Sequence, residues 1–232
     1  GNGGVVVCTN EGNADMGVHC APVQIHCMGI EKMIPSLADL GVFTRLLARN
    51  ATGQPVSAYT SHYRKPKPGG EMHIVIVDNG RSQHLGNPDF RNSLKCIRCG
   101  ACLNTCPVYR RSGGYSYGTL IPGPVGSILS PVGDMKNHTD LPFASSLCMS
   151  CTNVCPVKID IDHQLYKWRQ IFSEKKLIHP TKRFVMKIAG WVLASNNLYN
   201  SSGWMIRQAL KVLPRRLVYF KANAWGRERE LP

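Results

Sequence analysis

The sequence predicts an α/β fragment over residues 1–88, an α-helical domain ordered by cysteines over residues 89–162, and a basic helical region over residues 163–232. Three observations carry that order. Short apolar runs of buried-strand length fall in the first region, and closely spaced cysteines fall in the second. The third holds 14 Lys and Arg against 3 acids, net +11 of the chain's +14.

In the first region Gly4 to Cys8 (GVVVC), Val23 to Met28 (VQIHCM) and His73 to Asp78 (HIVIVD) read as strands. One helix lies between the second and third. Ser36 after Pro35 supplies its cap, and Leu37, Leu40, Phe43, Leu46 and Leu47 recur at helical spacing. Residues 51–72, rich in Pro and Gly, read as a long polar connection. Strands and helix in this order predict parallel pairing. The region is small for a whole α/β domain and opens on GNGG directly before a strand, with no initiating Met. The chain is therefore expected to begin partway through a domain, either as the product of a split or processed gene or with another chain supplying the rest. Exposed sheet edges in a half domain also predict a partner.

In the second region Cys96, Cys99, Cys102 and Cys106 spell C-x2-C-x2-C-x3-C-P, and Cys148, Cys151 and Cys155 spell C-x2-C-x3-C-P, with Pro107 and Pro156 following. A cysteine every third residue wraps a loop round a cubane and points successive thiolates at different irons, while the fourth cysteine sits too far along to close the same cube. The proline ends the ligand loop by removing an amide donor and biasing its neighbour away from helix. Crossed ligation follows: Cys96, Cys99, Cys102 and Cys155 for one [4Fe-4S] cluster, and Cys106, Cys148 and Cys151 for a second. This is the pattern of a two-cluster ferredoxin-like domain.

The second set lacks a thiolate. Ten residues before Cys155, where the first motif has Cys96 before Cys106, stands Ser145. Three arrangements satisfy this: a [3Fe-4S] cluster, a [4Fe-4S] cluster with a non-cysteine ligand such as Ser145 or nearby His138, or a ligand from a partner subunit. Zinc prefers paired C-x2-C knuckles, and the third cysteine and the crossed C-P ending argue against it. Disulfides suit small secreted domains, whereas 232 residues can bury a core and nothing at the N-terminus reads as a signal peptide. Cys8, Cys20 and Cys27 have no ligand spacing and are expected to be buried small hydrophobes.

Between the two motifs, residues 113–133 (GGYSYGTLIPGPVGSILSPVG) are so rich in Gly and Pro that neither a long helix nor a central strand is expected. An ordered loop should wrap the clusters there, with Tyr115, Tyr117, Ile121 and Val125 excluding water. Beyond it Ile161, Leu165, Trp168 and Phe172 make one apolar helical stripe. Residues 181–195 and 203–213 read as further helices, punctuated by Pro180 and Pro214. The apolar stretch from Phe184 to Ala194 is too short to span a bilayer. The basic faces fit docking on a partner subunit, or interfacial contact with an anionic membrane through Trp191, Trp204 and Trp225. No nucleic-acid recognition motif accompanies them.

The phrases VVVCTNEGN (5–13), ARNATGQPVSAYT (48–60), IVIVDNGR (74–81), LKCIRCGACLNTCPVYRRSGGYSYG (94–118), IPGPVGSILSP (121–131) and LPFASSLCMSCTNVCPVKI (141–159) resemble the iron-sulfur subunit of bacterial lactate utilisation, the LutB-like proteins. The resemblance implies that residues 1–88 are roughly the C-terminal half of a lactate-utilisation domain of the NagB/RpiA/CoA-transferase-like fold. It also implies three cysteines at the second cluster, and a cytoplasmic complex in which other subunits join this one to oxidise L-lactate to pyruvate. In CoA-transferase-like folds a glutamate in a turn such as Thr9-Asn10-Glu11-Gly12-Asn13 can be a nucleophile. A tight turn with Gly12 left-handed, or a ligand-binding role, is the favoured reading of that phrase here.

The expected role is single-electron transfer to an acceptor at the basic surface. No catalytic residue is assigned, because the chain has no G-x-G-x-x-G after a strand and no Walker loop. Alternatives are service to another 2-hydroxy acid such as glycolate, acid binding beside an open cluster iron acting as Lewis acid, and clusters that serve only as folding staples.

Overall fold

Four strands, ten α-helices and four short 3-10 helices are seen among the described residues, 3–212, of the computed structural model. β1 (Val5–Thr9), β2 (Val23–Gly29), β3 (Tyr59–Tyr63) and β4 (Glu71–Val77) form two separate ribbons. β2 and β4 run parallel, with Val23 opposite Glu71 and Gly29 opposite Val77. The order of strands and helix led to that expectation. β1 departs from it by pairing antiparallel with β3, Val5 opposite Tyr63 and Thr9 opposite Tyr59. The partner strand lies inside the segment read as polar connection. Its run of only five residues, YTSHY, is half polar and carries little period-2 signal.

Helix α1 (Asn13–Cys20) also occupies a stretch read as loop. Its apolar residues make no continuous stripe and Gly12 precedes it at φ 66°, so only tertiary packing identifies it. Tyr63 Oη donates to Asp15 Oδ1 at 2.6 Å, and Gln24 Nε2 donates to the Val18 carbonyl at 3.3 Å. The predicted helix is α2 (Leu37–Thr52), where Ser36 Oγ accepts from the Ala38 amide at 3.1 Å and Gly53 ends the helix at φ 75°.

This α/β part is thinly covered. Val23, Ile25, Ile74, Val75, Ile76 and Val77 on the parallel pair are all exposed. The expectation for the cysteines outside the motifs is corrected here: Cys20 and Cys27 are exposed and Cys8 is half-buried, because no second layer among the described residues covers them.

The dense packing begins after β4. α3 (Arg81–Leu85) leads into the cysteine segment, which contributes α4 (Ala101–Thr105) and α5 (Pro107–Ser112). α6 (Gly123–Gly133) corrects the expected loop. Pro124 is harmless in the first turn, where an amide would have no intrahelical partner. Pro131 within the helix removes one bond, and the helix persists because Val125, Ile128 and Pro131 are buried. Gly126 permits the close approach, since a Cβ there would collide with the Ile121 carbonyl oxygen. Tyr117 is buried, but Tyr115 is fully exposed and excludes no water.

α7 (Ser150–Val154) and α8 (Ile161–Glu174) complete the unit. Ile161, Leu165, Trp168 and Phe172 form the predicted stripe and are buried. Trp168 stacks on Phe90 at 4.3 Å and on Phe172 at 5.5 Å, and its Nε1 donates to the Ile128 carbonyl at 3.0 Å. α8, α6 and the turn at Phe90 are thereby tied into one core.

Residues up to Leu177 form one unit, and a second begins at Ile178. The second contains α9 (Pro180–Leu193) and α10 (Asn196–Val212), which starts earlier than the sequence suggested. Phe184, Trp191, Trp204 and Ile206 are exposed on these helices. Pro214 and Trp225 lie outside the described residues. No helix among the described residues is long and apolar enough to cross a membrane.

Candidate metal centre

The cysteine segments fold as two copies of one local structure. A shift of 49 places carries Cys99, Cys102 and Cys106 onto Cys148, Cys151 and Cys155. The backbone follows the shift. Arg98 (φ 61°) corresponds to Leu147 (φ 54°), Gly100 (φ 80°) to Met149 (φ 62°), and α4 to α7. Left-handed residues on either side of a cysteine turn the chain sharply, which brings thiols three residues apart onto one concave surface. The two short helices lie against each other, and the Thr105 and Ser150 hydroxyls hydrogen-bond between them.

Cys96, Cys99, Cys102 and Cys155 line a single cavity, closed by Ile97, Val125, Pro156, Val157, Ile159 and Ile161. Three of these cysteines come from one motif and the fourth from the other. Backbone amides point at the sulfurs: Arg98 N–H to Cys96 Sγ and Ile159 N–H to Cys155 Sγ, both at 3.4 Å, with the Val125 amide at the start of α6 facing Cys102. Such donors stabilise negative sulfur and raise reduction potentials.

The remaining thiols, Cys106, Cys148 and Cys151, lie outside that cavity. Cys106 and Cys151 are buried and within electrostatic reach of each other, and Tyr109 N–H donates to Cys106 Sγ at 3.4 Å. Cys148 lies one turn before Cys151 and is exposed. Cys102 and Cys151 are also within electrostatic reach, so the two sets of thiols adjoin. Burial raises the Tyr117 phenol and nearby Cys106 raises it further, while Ser112 lowers it.

Burial pushes the Cys102 thiol up to about 12 and Cys151 up to about 11, and raises Cys99. Cys148 is lowered, first by the Ser150 amide and then by the Ser146 hydroxyl. Cys99, Cys102 and Cys151 are thus neutral on their own, so iron must displace their protons as it binds. Among the described residues, no three His, Cys, Asp or Glu side chains close on one point as a mononuclear site requires. Thiols spaced round a cavity, with amides aimed at the sulfurs, fit a cubane donor set.

Sequence reasoning missed two cations that brace these loops. Lys32 Nζ donates to the Cys96 carbonyl at 2.5 Å. Arg169 donates from Nε to the Pro142 carbonyl at 2.9 Å and from Nη2 to the Ser145 carbonyl at 2.7 Å, with its guanidinium 5.3 Å from the Phe143 ring centroid. Lys32 is 64 residues from its acceptor and carries no local signal. Arg169 was counted only as part of the basic region. A wide groove that Cys96 also lines holds Glu31, Lys32, Arg81, His84, Arg98 and His138. Glu11 is exposed in the turn before Gly12, where a Cβ would stand 3.1 Å from the Tyr59 ring.

The fold and thiol arrangement define a two-cluster iron-sulfur protein, and the family models agree: residues 92–159 match the 4Fe-4S dicluster domain and residues 1–82 match the LUD domain. The chain is 44% identical over 215 residues to Lactate utilization protein B of Bacillus cytotoxicus, covering 90% of this chain and 45% of that protein. It is 39% identical over 250 residues to the protein of that name in Geobacillus sp. WCH70, covering 100% of this chain and 51% of the relative. Over 90–100% of its length the chain is similar to these LutB-like iron-sulfur proteins, and it spans about half the length of the curated relatives it matches. No solved structure matches it.

Proposed function

We propose that this chain carries electrons singly through two clusters in a complex that oxidises L-lactate to pyruvate. The observation that carries the reading is the adjacency of two thiol sets, Cys96, Cys99, Cys102 and Cys155 round one cavity and Cys151 within electrostatic reach of Cys102 and of Cys106, with Cys148 three residues before Cys151 in the repeated motif. Oxidation of a 2-hydroxy acid releases two electrons and two protons, and a pair of one-electron clusters passes that pair on in single steps. The chain's own residues supply the cages, the amide donors to sulfur and the apolar walls of Val125, Ile128, Ile159 and Ile161 that keep water out.

The α/β part is proposed as a piece of a NagB/RpiA/CoA-transferase-like domain. Its exposed β2 and β4 side chains support covering by further protein. On α9 and α10, exposed Phe184, Trp191 and Trp204 accompany Arg183, Lys187 and Arg207, which supports contact with partner subunits or with the anionic inner face of a membrane in the cytoplasm. Rapid-freeze EPR of the assembled complex tests the role. L-lactate should reduce the clusters within one turnover, whereas clusters that stay oxidised while pyruvate forms would remove this chain from the electron path. Comparison with glycolate decides between the two acids.

A second reading has this chain bind an acid itself in the groove beside Cys96, where Arg98 and His138 stand with Lys32 and Arg81, the latter two ion-paired to Glu31. A lactate-dependent change in the cluster spectrum of the protein without partners would support that reading.

A further inference from the structure

The duplicated fold reaches one residue further than the cysteines. The same shift of 49 places that superposes the two motifs carries Cys96 onto Ser145. Their surroundings repeat. Arg98 N–H donates to Cys96 Sγ at 3.4 Å, and its counterpart Leu147 N–H donates to Ser145 Oγ at 3.1 Å. A cation holds the carbonyl in each copy, Lys32 Nζ on Cys96 and Arg169 Nη2 on Ser145. Both residues are half-buried and both are followed, two places on, by a left-handed residue.

We propose that Ser145 Oγ is the fourth protein ligand of the second cluster. The inference rests on the two-cluster reading and adds an oxygen to the donor set of Cys106, Cys148 and Cys151. Cys96 lines the first cavity as the leading residue of its motif, and Ser145 is the leading residue of the repeated motif, with the same amide and cation contacts. Forming the Fe–Oγ bond breaks the Ser145 O–H bond and releases the proton to solvent, with no change of iron oxidation state. A serine hydroxyl ionises only under the pull of a metal, as bound water does, and the Leu147 amide further stabilises the alkoxide. His138, the other candidate in the sequence, lies outside the repeated motif and lines the groove that Cys96 also lines.

An alkoxide is a harder donor than a thiolate and favours the ferric state, so the second cluster should differ from the first in potential. The experiment compares anaerobically purified wild type, Ser145→Ala and Ser145→Cys by iron count, low-temperature EPR and redox titration. Wild type should carry two four-iron clusters with no three-iron signal when oxidised. Ser145→Ala should lose one iron per chain and gain that signal. Ser145→Cys should keep the wild-type iron count and titrate at a higher potential. The first cluster is the internal control, because its signals must persist in all three proteins. Absence of both clusters from wild type would sink the two-cluster reading itself. With the first cluster intact, a three-iron signal in wild type, an unchanged spectrum in Ser145→Ala, or an unmoved potential in Ser145→Cys would overturn the serine ligand alone.

Discussion

Replacing Trp168 by Ala should loosen the first cluster although no atom of Trp168 touches it. The indole is 4% exposed, stacks on Phe90 and Phe172, and donates to the Ile128 carbonyl of α6. The amide of Val125, one turn earlier on α6, faces Cys102. Emptying a buried Trp site costs about 3–5 kcal/mol, which already includes the lost stacking. The lost N–H bond accounts for about 1 kcal/mol of it. Domains hold about 5–15 kcal/mol in all, so Trp168→Ala should remove a large share of the stability. Trp168→Phe keeps most of the stacked area and should cost about 1–2 kcal/mol. The assay is anaerobic guanidinium titration followed by the visible charge-transfer band of the clusters and by far-ultraviolet circular dichroism. Both transitions should move to lower denaturant, in the order Ala, Phe, wild type. A Trp168→Ala midpoint within about 1 kcal/mol of wild type, or Phe as damaging as Ala, would refute the claim that this core holds the cluster cage.

Three further outcomes are expected. Cys155→Ser should damage the first cluster although it lies in the second motif, because Cys155 lines the cavity with Cys96, Cys99 and Cys102; loss confined to the second cluster would contradict crossed ligation. Gly126→Ala forces a Cβ against the Ile121 carbonyl, and overpacking of this kind costs about 1–3 kcal/mol or more, so the variant should lose clusters faster on dilution into chelator than Gly133→Ala, whose Cβ meets open space. His84 is buried with Nε2 2.7 Å from Ser93 Oγ, and burial lowers it from its ordinary 6.5. The unfolded chain therefore binds a proton that the folded chain refuses, so stability falls as pH drops from about 6.5 through the lowered folded value. His84→Gln should flatten that part of the stability profile, and an unchanged slope would exclude His84 as its source.

The cluster region was the more legible half of the sequence. Cubane ligation fixes cysteine spacing through short-range geometry, and the α8 stripe of Ile161, Leu165, Trp168 and Phe172 is a strong helical period. Ser36 and its apolar repeat identified α2 for the same local reason. Partners set by long-range packing were not legible. β3 was hidden because a strand of five residues needs its β1 neighbour to be recognised. α6 was hidden because Gly and Pro lower helix propensity, while the burial of Val125 and Ile128 that overrides it appears only in three dimensions. Lys32 and Arg169 act across 64 and 24 residues, and their ordinary surroundings in the sequence give no sign of the carbonyls they hold. The gap at Ser145 was visible from the spacing, and its resemblance to Cys96 needed the backbone.

The central claim is that two adjoining cages in this chain each hold a redox-active cluster. Low-temperature EPR of anaerobically purified protein, as isolated and after dithionite reduction, with iron and zinc counted on the same sample, tests it most directly. The account predicts an iron-loaded protein whose two reduced clusters give mutually coupled signals, since Cys102 and Cys151 bring the cages within reach of each other. A zinc-loaded protein without iron, silent in both states, would contradict it.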